Sequence, residues 1–354
     1  TGSNGKTTTK NFLAAILMRV APTVAPIESY NNKVGAPISI LRIDEQTRYL
    51  IVEMGAAGSG SISYLTDIAQ PDIGIILKVG MAHAGEFGGI EQTTKIKSEL
   101  VAGLKENATA ILNADDSRVA EMAALTDCEI LWFGSSSSAQ YRFDNPELSV
   151  EGTSFDLIWP DGSQNFVKQR VLGEHHIMNA LAAASAADRL GVPRDLIAAA
   201  IAELPMAEKW RMQLLHRPDG LTVINDAYNA SPESMRAALQ TLAQLGRSGK
   251  RTIAVLGEMA ELGEYSNESH DGIGRLVVRL NIDQLVVVGD RAKLIHMGAS
   301  QEGSWDGESK FFASIDEALH YLRGMLTSED IVLVKSSKSA NLRFLGDDLM
   351  EVAP

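Results

Sequence analysis

The sequence contains a single cysteine and no long apolar run. Cys128 cannot form a disulfide within the chain, so we expect a protein of the reducing cytoplasm in which Cys128 is a small core residue. No run approaches the roughly 18 apolar residues of a membrane-spanning helix. The N-terminus also lacks a basic segment followed by an apolar one. We therefore expect neither membrane insertion nor a targeting signal.

Positive charge is scarce as well. Lys and Arg total 32 against 45 Asp and Glu, which gives a net charge of −13. This sign excludes nucleic acid and anionic membrane surfaces as main partners. The remaining composition, 45% apolar and 22% charged over 354 residues, is that of a globular protein with two or three domains.

In the first part of the chain, short apolar runs alternate with stretches of helical periodicity. Residues 48–54, 72–79 and 108–113 suit buried strands, whereas residues 6–20 and 93–104 have helical spacing. This alternation predicts βα units and a mostly parallel sheet.

A hairpin and two helices are predicted to complete this domain. The turn sequence Pro-Asp-Gly at 160–162 separates the strand-like residues 153–159 and 165–172, and helices follow at 178–190 and after Pro193. The serine run at 135–138 and the Asp-Asn-Pro-Glu sequence at 144–147 are expected to be loops.

A second α/β series follows a stretch rich in Pro and charge at residues 204–220. Its predicted strands are residues 221–225, 252–256, 284–288 and 330–334, and its predicted helices are residues 232–245, 270–280 and 314–326. We predict a doubly wound, Rossmann-like domain and place the boundary at Arg211, which gives domains 1–211 and 212–354.

The chain opens with a sequence typical of a phosphate-binding loop, Thr1-Gly2-Ser3-Asn4-Gly5-Lys6-Thr7-Thr8. Its glycines leave backbone N–H groups accessible, its lysine can reach the β and γ phosphates, and its hydroxyls can bind Mg²⁺ at a helix N-terminus. A chance Gly-rich turn before a helix is the alternative. Because the strand that normally precedes such a loop is missing, we expect Thr1 to be a truncation point in a longer protein.

Further polar residues follow predicted strands. Glu53 ends one apolar strand, where it can act as a second metal ligand or be an ordinary strand-end glutamate. His83 follows the next strand and is either a metal ligand or a hydrogen-bonded structural residue. Lys95 and Lys97 lie two residues apart on a predicted helix, so at most one of them can face the site.

Taken together, the motifs resemble the Mur ligase family over nearly the whole chain. The matching elements are, in order, the loop at residues 1–8, Asn31-Asn32 with Gly35 and Pro37, Glu53-Met54-Gly55-Ala56, Ala82-His83 with Phe87-Gly88, Lys95-Ile96-Lys97-Ser98-Glu99, Gly173-Glu174-His175 with Asn179, Arg211-Met212, Asp226-Ala227-Tyr228-Asn229-Ala230-Ser231-Pro232, Gly257-Glu258-Met259-Ala260-Glu261-Leu262-Gly263 and Lys335-Ser336-Ser337-Lys338.

The resemblance implies a central P-loop ATPase domain with a β-hairpin extension and a C-terminal Rossmann-like domain. It also implies an ATP-dependent amide ligase of peptidoglycan synthesis that works through an acyl phosphate. The elements at 226–232 and 257–263 resemble the branch that joins D-alanyl-D-alanine to UDP-MurNAc-tripeptide. Members carry an N-terminal UDP-sugar domain that is absent from this sequence, so we expect the 354-residue piece alone to ligate little.

Residue roles are implied in the same way. The ATP loop would be formed by Gly2, Ser3, Asn4, Gly5, Lys6, Thr7 and Thr8, with Lys6 on the β and γ phosphates. Two Mg²⁺ ions would be held by Thr7, Glu53, His83 and Lys97, and Lys97 would be carbamylated by CO₂. The resemblance further assigns the adenine contact to Asn179, an ATP-phosphate contact to Arg211, and closure on the nucleotide to Asp226 and Asn229. The catalytic set is then Lys6, His83, Lys97 and Arg211.

The sequence departs from the commonest family pattern at His176, Trp210, Ser231, Ser336 and Lys338. Three alternatives to the predicted function stay open. One is another Mur-type ligase, such as the diaminopimelate-adding branch, and another is a folylpolyglutamate-type ligase. The third is a non-catalytic ATP-binding module, which would need neither His83 nor Lys97. For the predicted ligase we expect a monomer.

Overall fold

The computed structural model describes residues 1–82, 84–204, 208–302 and 308–351. The chain forms two compact units. The first consists of Thr1–Glu147, Gly152–Arg170 and Glu174–Glu208, and the second of Leu148–Glu151, Val171–Gly173 and Lys209–Pro354. The domain boundary that we drew at Arg211 stays a prediction.

The first unit contains eight α-helices and eight strands among its described residues. The helices are α1 (Lys6–Leu17), α2 (Gly35–Ile40), α3 (Ser61–Ala69), α4 (Ala84–Phe87), α5 (Ile90–Ala102), α6 (Ser117–Glu121), α7 (Glu174–Arg189) and α8 (Arg194–Glu203). The strands are β1 (Thr23–Val24), β2 (Tyr49–Leu50), β3 (Ile73–Ile76), β4 (Thr109–Asn113), β5 (Glu129–Phe133), β6 (Arg142–Ser149), β7 (Gly152–Ile158) and β8 (Gln164–Gln169).

These strands form three small sheets. Strands β1 and β2 pair in parallel, as do β3, β4 and β5 in that order. Strands β6, β7 and β8 form the third sheet, in which β7 and β8 are antiparallel. A cavity of about 420 Å³ separates β2 from β3 and is lined by both strands and by α1. The predicted, mostly parallel α/β architecture with a hairpin extension is confirmed.

One prediction for this unit was wrong. The Asp-Asn-Pro-Glu sequence at residues 144–147, which we expected to be a loop, lies inside β6, so the extension has three strands instead of two. Proline lacks a backbone donor, but an edge strand tolerates it because one side of the strand needs no ladder partner. Asn145 adopts a left-handed backbone with φ of 52° beside this proline, which interrupts the regular strand pattern that the prediction relied on.

The second unit alternates strands and helices around a single sheet. Its strands are β9 (Gln213–His216), β10 (Thr222–Asn225), β11 (Arg251–Leu256), β12 (Gln284–Val288), β13 (Glu308–Phe312) and β14 (Asp330–Lys335). Its helices are α9 (Pro232–Gly246), α10 (Ser266–Arg279), α11 (Lys293–Gln301), α12 (Ile315–Met325) and α13 (Leu342–Asp348).

The six strands follow the order β13-β12-β11-β14-β10-β9 and are parallel except for β9, which runs antiparallel to β10. Alternate residues fill two cores. Val223, Ile253, Val286 and Val332 pack on one face of the sheet, and Ile224, Ala254, Leu285 and Leu333 pack on the other. A sheet buried on both faces explains the nearly continuous apolar strands and confirms the doubly wound architecture.

The sequence did not predict β9 or β13. Both are edge strands, which are paired on one side only and are less buried than the central strands. Their sequences therefore lack the continuous apolar run of a central strand. By contrast, the predicted central strand at residues 284–288 coincides with β12. No helix within the described part of the chain has both the length and the apolarity to cross a membrane.

Two glycines on α10 provide a matched test of the packing in the second unit. A Cβ on Gly274 would overlap the carbonyl oxygen of Ile295 and lie 2.7 Å from the backbone nitrogen of Ala299. We expect Gly274→Ala to lower the free energy of unfolding by about 1–3 kcal/mol, because α10 and α11 must move apart.

Gly272, on the same helix, has open space at the Cβ position. Gly272→Ala should raise the free energy of unfolding by about 0.5–1 kcal/mol, since alanine favours helix. Urea denaturation of both variants measures the difference, and equal effects would contradict the close approach at Gly274.

Candidate active site

The Gly-rich loop is fixed to the segment that continues β3. The backbone N–H of Leu77 donates to the carbonyl oxygen of Thr1 at 3.0 Å. The backbone N–H of Ser3 donates to the carbonyl oxygen of Lys78 at 2.7 Å. The Ser3 hydroxyl accepts the N–H of Gly80 at 2.8 Å. The loop therefore has a defined place at the carboxyl end of a parallel strand.

At the end of this loop, Gly5 requires the absence of a side chain. Its φ of 86° is left-handed, and a Cβ would collide with Asn179 Oδ1. Helix α1 begins at Lys6, directly after this turn, so its free backbone N–H groups face the end of the loop. This geometry is the one that phosphate-binding loops use, and phosphate binding by the loop stays a prediction.

Lys6 folds back over the loop, and its Nζ donates to the carbonyl oxygen of Gly2 at 2.9 Å. Asn179, predicted to contact adenine, lies on α7 with its side chain buried against Gly5. Its Nδ2 lies 3.0 Å from His176 Nδ1. The structure therefore brings Asn179 to the phosphate loop. It leaves an adenine contact as a prediction.

Glu53 and Thr7 meet in the interior. The Thr7 hydroxyl donates to Glu53 Oε1 at 3.2 Å and lies 3.0 Å from the hydroxyl of Ser29. Asn31 Nδ2 donates to the same Oε1 at 2.6 Å. Glu53 is only 4% exposed, and its other oxygen, Oε2, has no hydrogen-bond partner among the described residues. A buried carboxylate oxygen without a donor is costly, so it fits a site for a cation.

The oxygen donors of Thr7 and Glu53 are of the kind that Mg²⁺ prefers. Asn31 belongs to one of the matching motifs without a predicted role, and Ser29 is not among the predicted site residues. Asn31 orients the carboxylate, and the accompanying motif could have indicated this. Ser29 had no comparable signal in the sequence.

Of the two lysines on α5, the structure buries Lys97 and exposes Lys95. Lys97 is 2% exposed, and burial, together with the nearby positive charge of Lys6, lowers its pKa from 10.5 to about 7. A substantial fraction of its amine is therefore neutral at physiological pH. Within the described ranges, Lys97 has no hydrogen bond or ion pair with a carboxylate.

Glu99, which sequence reasoning listed without a role, holds the helix that carries Lys97. Its carboxylate accepts backbone N–H groups from Gly60 at 2.7 Å, Ile62 at 3.1 Å and Ser63 at 3.0 Å. These are the free donors at the N-terminus of α3, so Glu99 caps that helix and ties α5 to it. Lys97 therefore extends from a helix of fixed position.

His83, the remaining predicted metal ligand, lies outside the described residues. The segment leading to it is fixed as far as Gly80, because Asp116 Oδ2 accepts the N–H of Val79 at 2.9 Å and Asn113 donates to the carbonyl oxygen of Leu77 at 2.7 Å. Asp116 also caps α6, so its two oxygens join two elements. Neither residue was predicted to belong to the site.

In the second unit, Asp226 lies where β10 ends and beside the end of β14. Its Oδ2 accepts from Lys335 Nζ at 2.6 Å, and its Oδ1 accepts from the backbone N–H of Met212 at 2.9 Å. Lys335 is 2% exposed and also donates to the carbonyl oxygen of Asn229 at 3.0 Å. Sequence reasoning had given Lys335 no role. It is the counter-ion that holds Asp226 and the loop carrying Asn229.

Arg211 packs against the same loop. Its guanidinium lies 4.2 Å from the centre of the Tyr228 ring, and Lys338 Nζ lies 5.1 Å from the same centre. The structure thus brings Arg211, Asp226 and Asn229 together at one edge of the second unit's sheet. Their contacts with a nucleotide stay predictions.

Comparison with known proteins identifies the family. Residues 1–187 match the Mur ligase middle domain, and residues 210–338 match the Mur ligase glutamate ligase domain. The UDP-N-acetylmuramoyl-tripeptide–D-alanyl-D-alanine ligase of Mycobacterium tuberculosis is 41% identical over 99% of this chain and 72% of its own length. The chain belongs to the Mur ligase family.

Solved structures agree with this assignment. A crystal structure of MurF from Acinetobacter baumannii has a TM-score of 0.89 at 33% identity and covers 99% of this chain and 75% of its own. MurF from Thermotoga maritima, in complex with ADP, has a TM-score of 0.88 at 26% identity, with 99% and 78% covered. The predicted family is confirmed, and this Mur ligase has the fold of those relatives.

The lowered pKa of Lys97 has a consequence for stability. Between pH 7 and 10.5 the unfolded chain binds more protons at this lysine than the folded chain does. The free energy of unfolding should therefore rise with pH across this window, by up to about 1 kcal/mol per pH unit. Lys97→Met removes the group and should abolish this contribution.

Urea unfolding at pH 7.5 and pH 9 is the measurement, in buffer with a chelator and without CO₂. Lys95→Met is the matched control, because Lys95 is exposed on the same helix. If wild type and Lys97→Met changed equally with pH, the buried amine would not have the lowered pKa.

Proposed function

We propose that this protein joins D-alanyl-D-alanine to UDP-MurNAc-tripeptide, with hydrolysis of ATP to ADP and phosphate, in peptidoglycan synthesis. Its relatives with this activity in their names are 30–41% identical over nearly the whole chain. The observation that carries the proposal is the buried Lys97 beside a phosphate loop. A module that only binds ATP needs no buried amine, whereas a ligase would use one, once carbamylated, to hold a second metal ion.

The loop residues 2–8 would surround the phosphates with backbone N–H groups, and Lys6 would leave the carbonyl oxygen of Gly2 to bind the β and γ phosphates. Thr7 and Glu53 would hold one Mg²⁺, and His83 and modified Lys97 the second. Bound Mg²⁺ supplies positive charge that neutralises the phosphoryl oxygens. The first of these sites is supported by Glu53 Oε2, which is buried and has no hydrogen-bond partner among the described residues.

Carbamylation would give Lys97 the charge that a metal site needs. The neutral Nζ forms a bond to the carbon of CO₂, one proton leaves the nitrogen, and the product is a carbamate anion. The reaction requires an uncharged amine, and the pKa of about 7 supplies one. The modification also replaces a positive charge beside Lys6 by a negative charge, which removes the repulsion between the two lysines.

The reaction then has two steps. The terminal carboxylate of the tripeptide attacks the γ-phosphorus of ATP, which forms an acyl phosphate and releases ADP. The amine of D-alanyl-D-alanine attacks the acyl carbon, loses a proton and displaces phosphate, which leaves the new amide. Lys6 reduces the repulsion in the first step because its charge lies beside the reacting phosphates.

In the second unit, Arg211 would bind an ATP phosphate, and Asp226 and Asn229 would close on the nucleotide. Both oxygens of Asp226 are already hydrogen-bonded, so Asp226 would act partly by holding Asn229 through Lys335. Asn179 would contact adenine from the first unit. We further propose a monomeric protein of the cytoplasm, where its lone cysteine stays reduced.

The acceptor distinguishes this function from its rivals. With UDP-MurNAc-tripeptide, ATP and Mg²⁺ present, the full-length protein should release phosphate at least about tenfold faster when D-alanyl-D-alanine is added, because the second step frees the acyl phosphate. A coupled phosphate assay with diaminopimelate, lysine and glutamate as alternative acceptors is the measurement. Stimulation by one of those amino acids would make the protein a different ligase, and no stimulation at all would favour the ATP-binding module.

The two lysines on α5 test the modified site. We expect Lys97→Ala to lower kcat at least about 100-fold, because it removes a metal ligand, and acetate or formate to restore part of the activity by occupying the space. Lys95→Ala, from the same helix, should keep wild-type activity. Full activity of Lys97→Ala in CO₂-free buffer would exclude a carbamylated ligand.

A further inference from the structure

Arg211 lies between two residues with strained backbone. Trp210 has φ of 61° and Met212 has φ of 45°, both in the left-handed region. Bulky residues adopt this region rarely, and they persist there only where the surrounding structure holds them. Glycine would adopt the same conformation without strain. A tryptophan at this position therefore needs a reason in its side-chain contacts.

Those contacts tie Trp210 to α13. Its indole Nε1 donates to Asp347 at 3.0 Å from Oδ2 and 3.2 Å from Oδ1. The indole also packs edge-on against Phe344, with ring centres 6.0 Å apart, and the guanidinium of Arg343 lies 5.4 Å from its centre. Three side chains of one helix thus hold the indole.

The backbone of Trp210 is bonded on both sides. Its N–H donates to Gln213 Oε1 at 3.0 Å, and its carbonyl oxygen accepts the N–H of Tyr228 at 3.1 Å. Tyr228 is the residue whose ring lies 4.2 Å from the guanidinium of Arg211. Trp210 is therefore linked to Arg211 in two ways. It precedes Arg211 in the chain, and it is hydrogen-bonded to Tyr228, whose ring contacts the Arg211 guanidinium.

Met212, on the other side of Arg211, is fixed independently. Its side chain is buried, and its N–H donates to Asp226, which Lys335 holds in turn. If the indole were released, the strained turn at Trp210 could relax while Met212 stayed in place. The backbone of Arg211 would then be less firmly held on the side of Trp210.

We propose that Trp210 and Asp347 are positioning residues for Arg211, whose guanidinium they hold in the orientation used in catalysis. The proposal rests on the proposed function, in which Arg211 binds an ATP phosphate. The left-handed backbone of Trp210 is strained, and the contacts of its indole with α13 compensate for that strain. Neither Trp210 nor Asp347 contacts substrate in this account, since both act through Arg211.

Trp210→Phe is the variant that isolates the hydrogen bond, because phenylalanine keeps an aromatic ring against Phe344 and lacks the donor. We expect kcat to fall about tenfold, with the KM values for UDP-MurNAc-tripeptide and D-alanyl-D-alanine nearly unchanged, because a misplaced catalytic group slows the chemical step. Asp347→Leu should have the same effect, and Asp347→Asn, which keeps an acceptor oxygen, should retain most of the activity.

A double-mutant cycle with Arg211→Ala separates positioning from general stability. If Trp210 acts through Arg211, Trp210→Phe should lower kcat no further in the Arg211→Ala background. An equal fold-loss in both backgrounds would overturn the proposal, as would full activity of Trp210→Phe. The melting temperature of each variant is measured alongside, and the comparison uses a temperature at which all of them are folded.

Trp159→Phe is the matched control in the first unit. Its indole also donates a hydrogen bond, to Asn165 Oδ1 at 2.7 Å, and it is buried against Tyr141 and Arg194, neither of which is a predicted site residue. It should keep wild-type kcat. If the full-length wild type itself showed no phosphate release dependent on the dipeptide, the proposed function would fail instead. In an active ligase, the positioning proposal fails if the cycle shows equal fold-losses in both backgrounds or if Trp210→Phe keeps full activity.

Discussion

Electrostatic repulsion opposes the approach of a carboxylate to the phosphates of ATP. The first unit places groups that can reduce this repulsion close to the phosphate loop. Positive charge must be concentrated where two anions meet, yet each cation has to be held away from bulk water to be effective. Lys6 lies on the loop itself, and the carboxylate of Glu53 is buried with one oxygen unshared. A buried carboxylate oxygen without a donor fits a cation, which supports the proposal that Glu53 holds Mg²⁺ beside the anionic reactants.

Both units use the same property of parallel sheets. The carboxyl ends of adjacent parallel strands lie at one edge, so residues that follow different strands become neighbours without any local sequence relation. In the first unit this edge joins Ser3 to Gly80, and in the second it joins Asp226 to Lys335. The polar partners found there, including Asp116, support the loops on which the proposed ligands lie. Part of the positioning thus comes from residues such as Asp116 and Lys335, to which no substrate contact is assigned.

The sequence predicted those parts whose signal is local. Central strands such as β12 have continuous apolar runs because both faces are buried, and the phosphate loop has a defined spacing of glycine, lysine and hydroxyl. Helical geometry showed that only one of Lys95 and Lys97 could face inward, but it could not show which one. The edge strands β9 and β13 and the proline-containing β6 had no such signal, because an edge needs neither a full apolar face nor every backbone donor.

Contacts between distant residues could not be predicted in this way. The capping of α3 by Glu99 joins residues almost 40 positions apart, and the ion pair of Asp226 and Lys335 spans 109 positions. In each case the motif containing the residue was recognised, but its physical partner was not. A charged residue in a motif has the same sequence signature whether it meets substrate or holds a neighbour. Only the three-dimensional arrangement separates the two roles.

The buried amine of Lys97 shows how stability and function are balanced in this fold. An ammonium group in the interior, close to a second lysine, is unfavourable, and the chain avoids part of this cost by releasing the proton. The neutral amine that results is still a buried polar group, and within the described residues it meets no carboxylate. A more stable protein would have an apolar side chain there. That the chain instead keeps a buried amine, on a helix whose position Glu99 fixes, supports the proposal that Lys97 takes part in the chemistry.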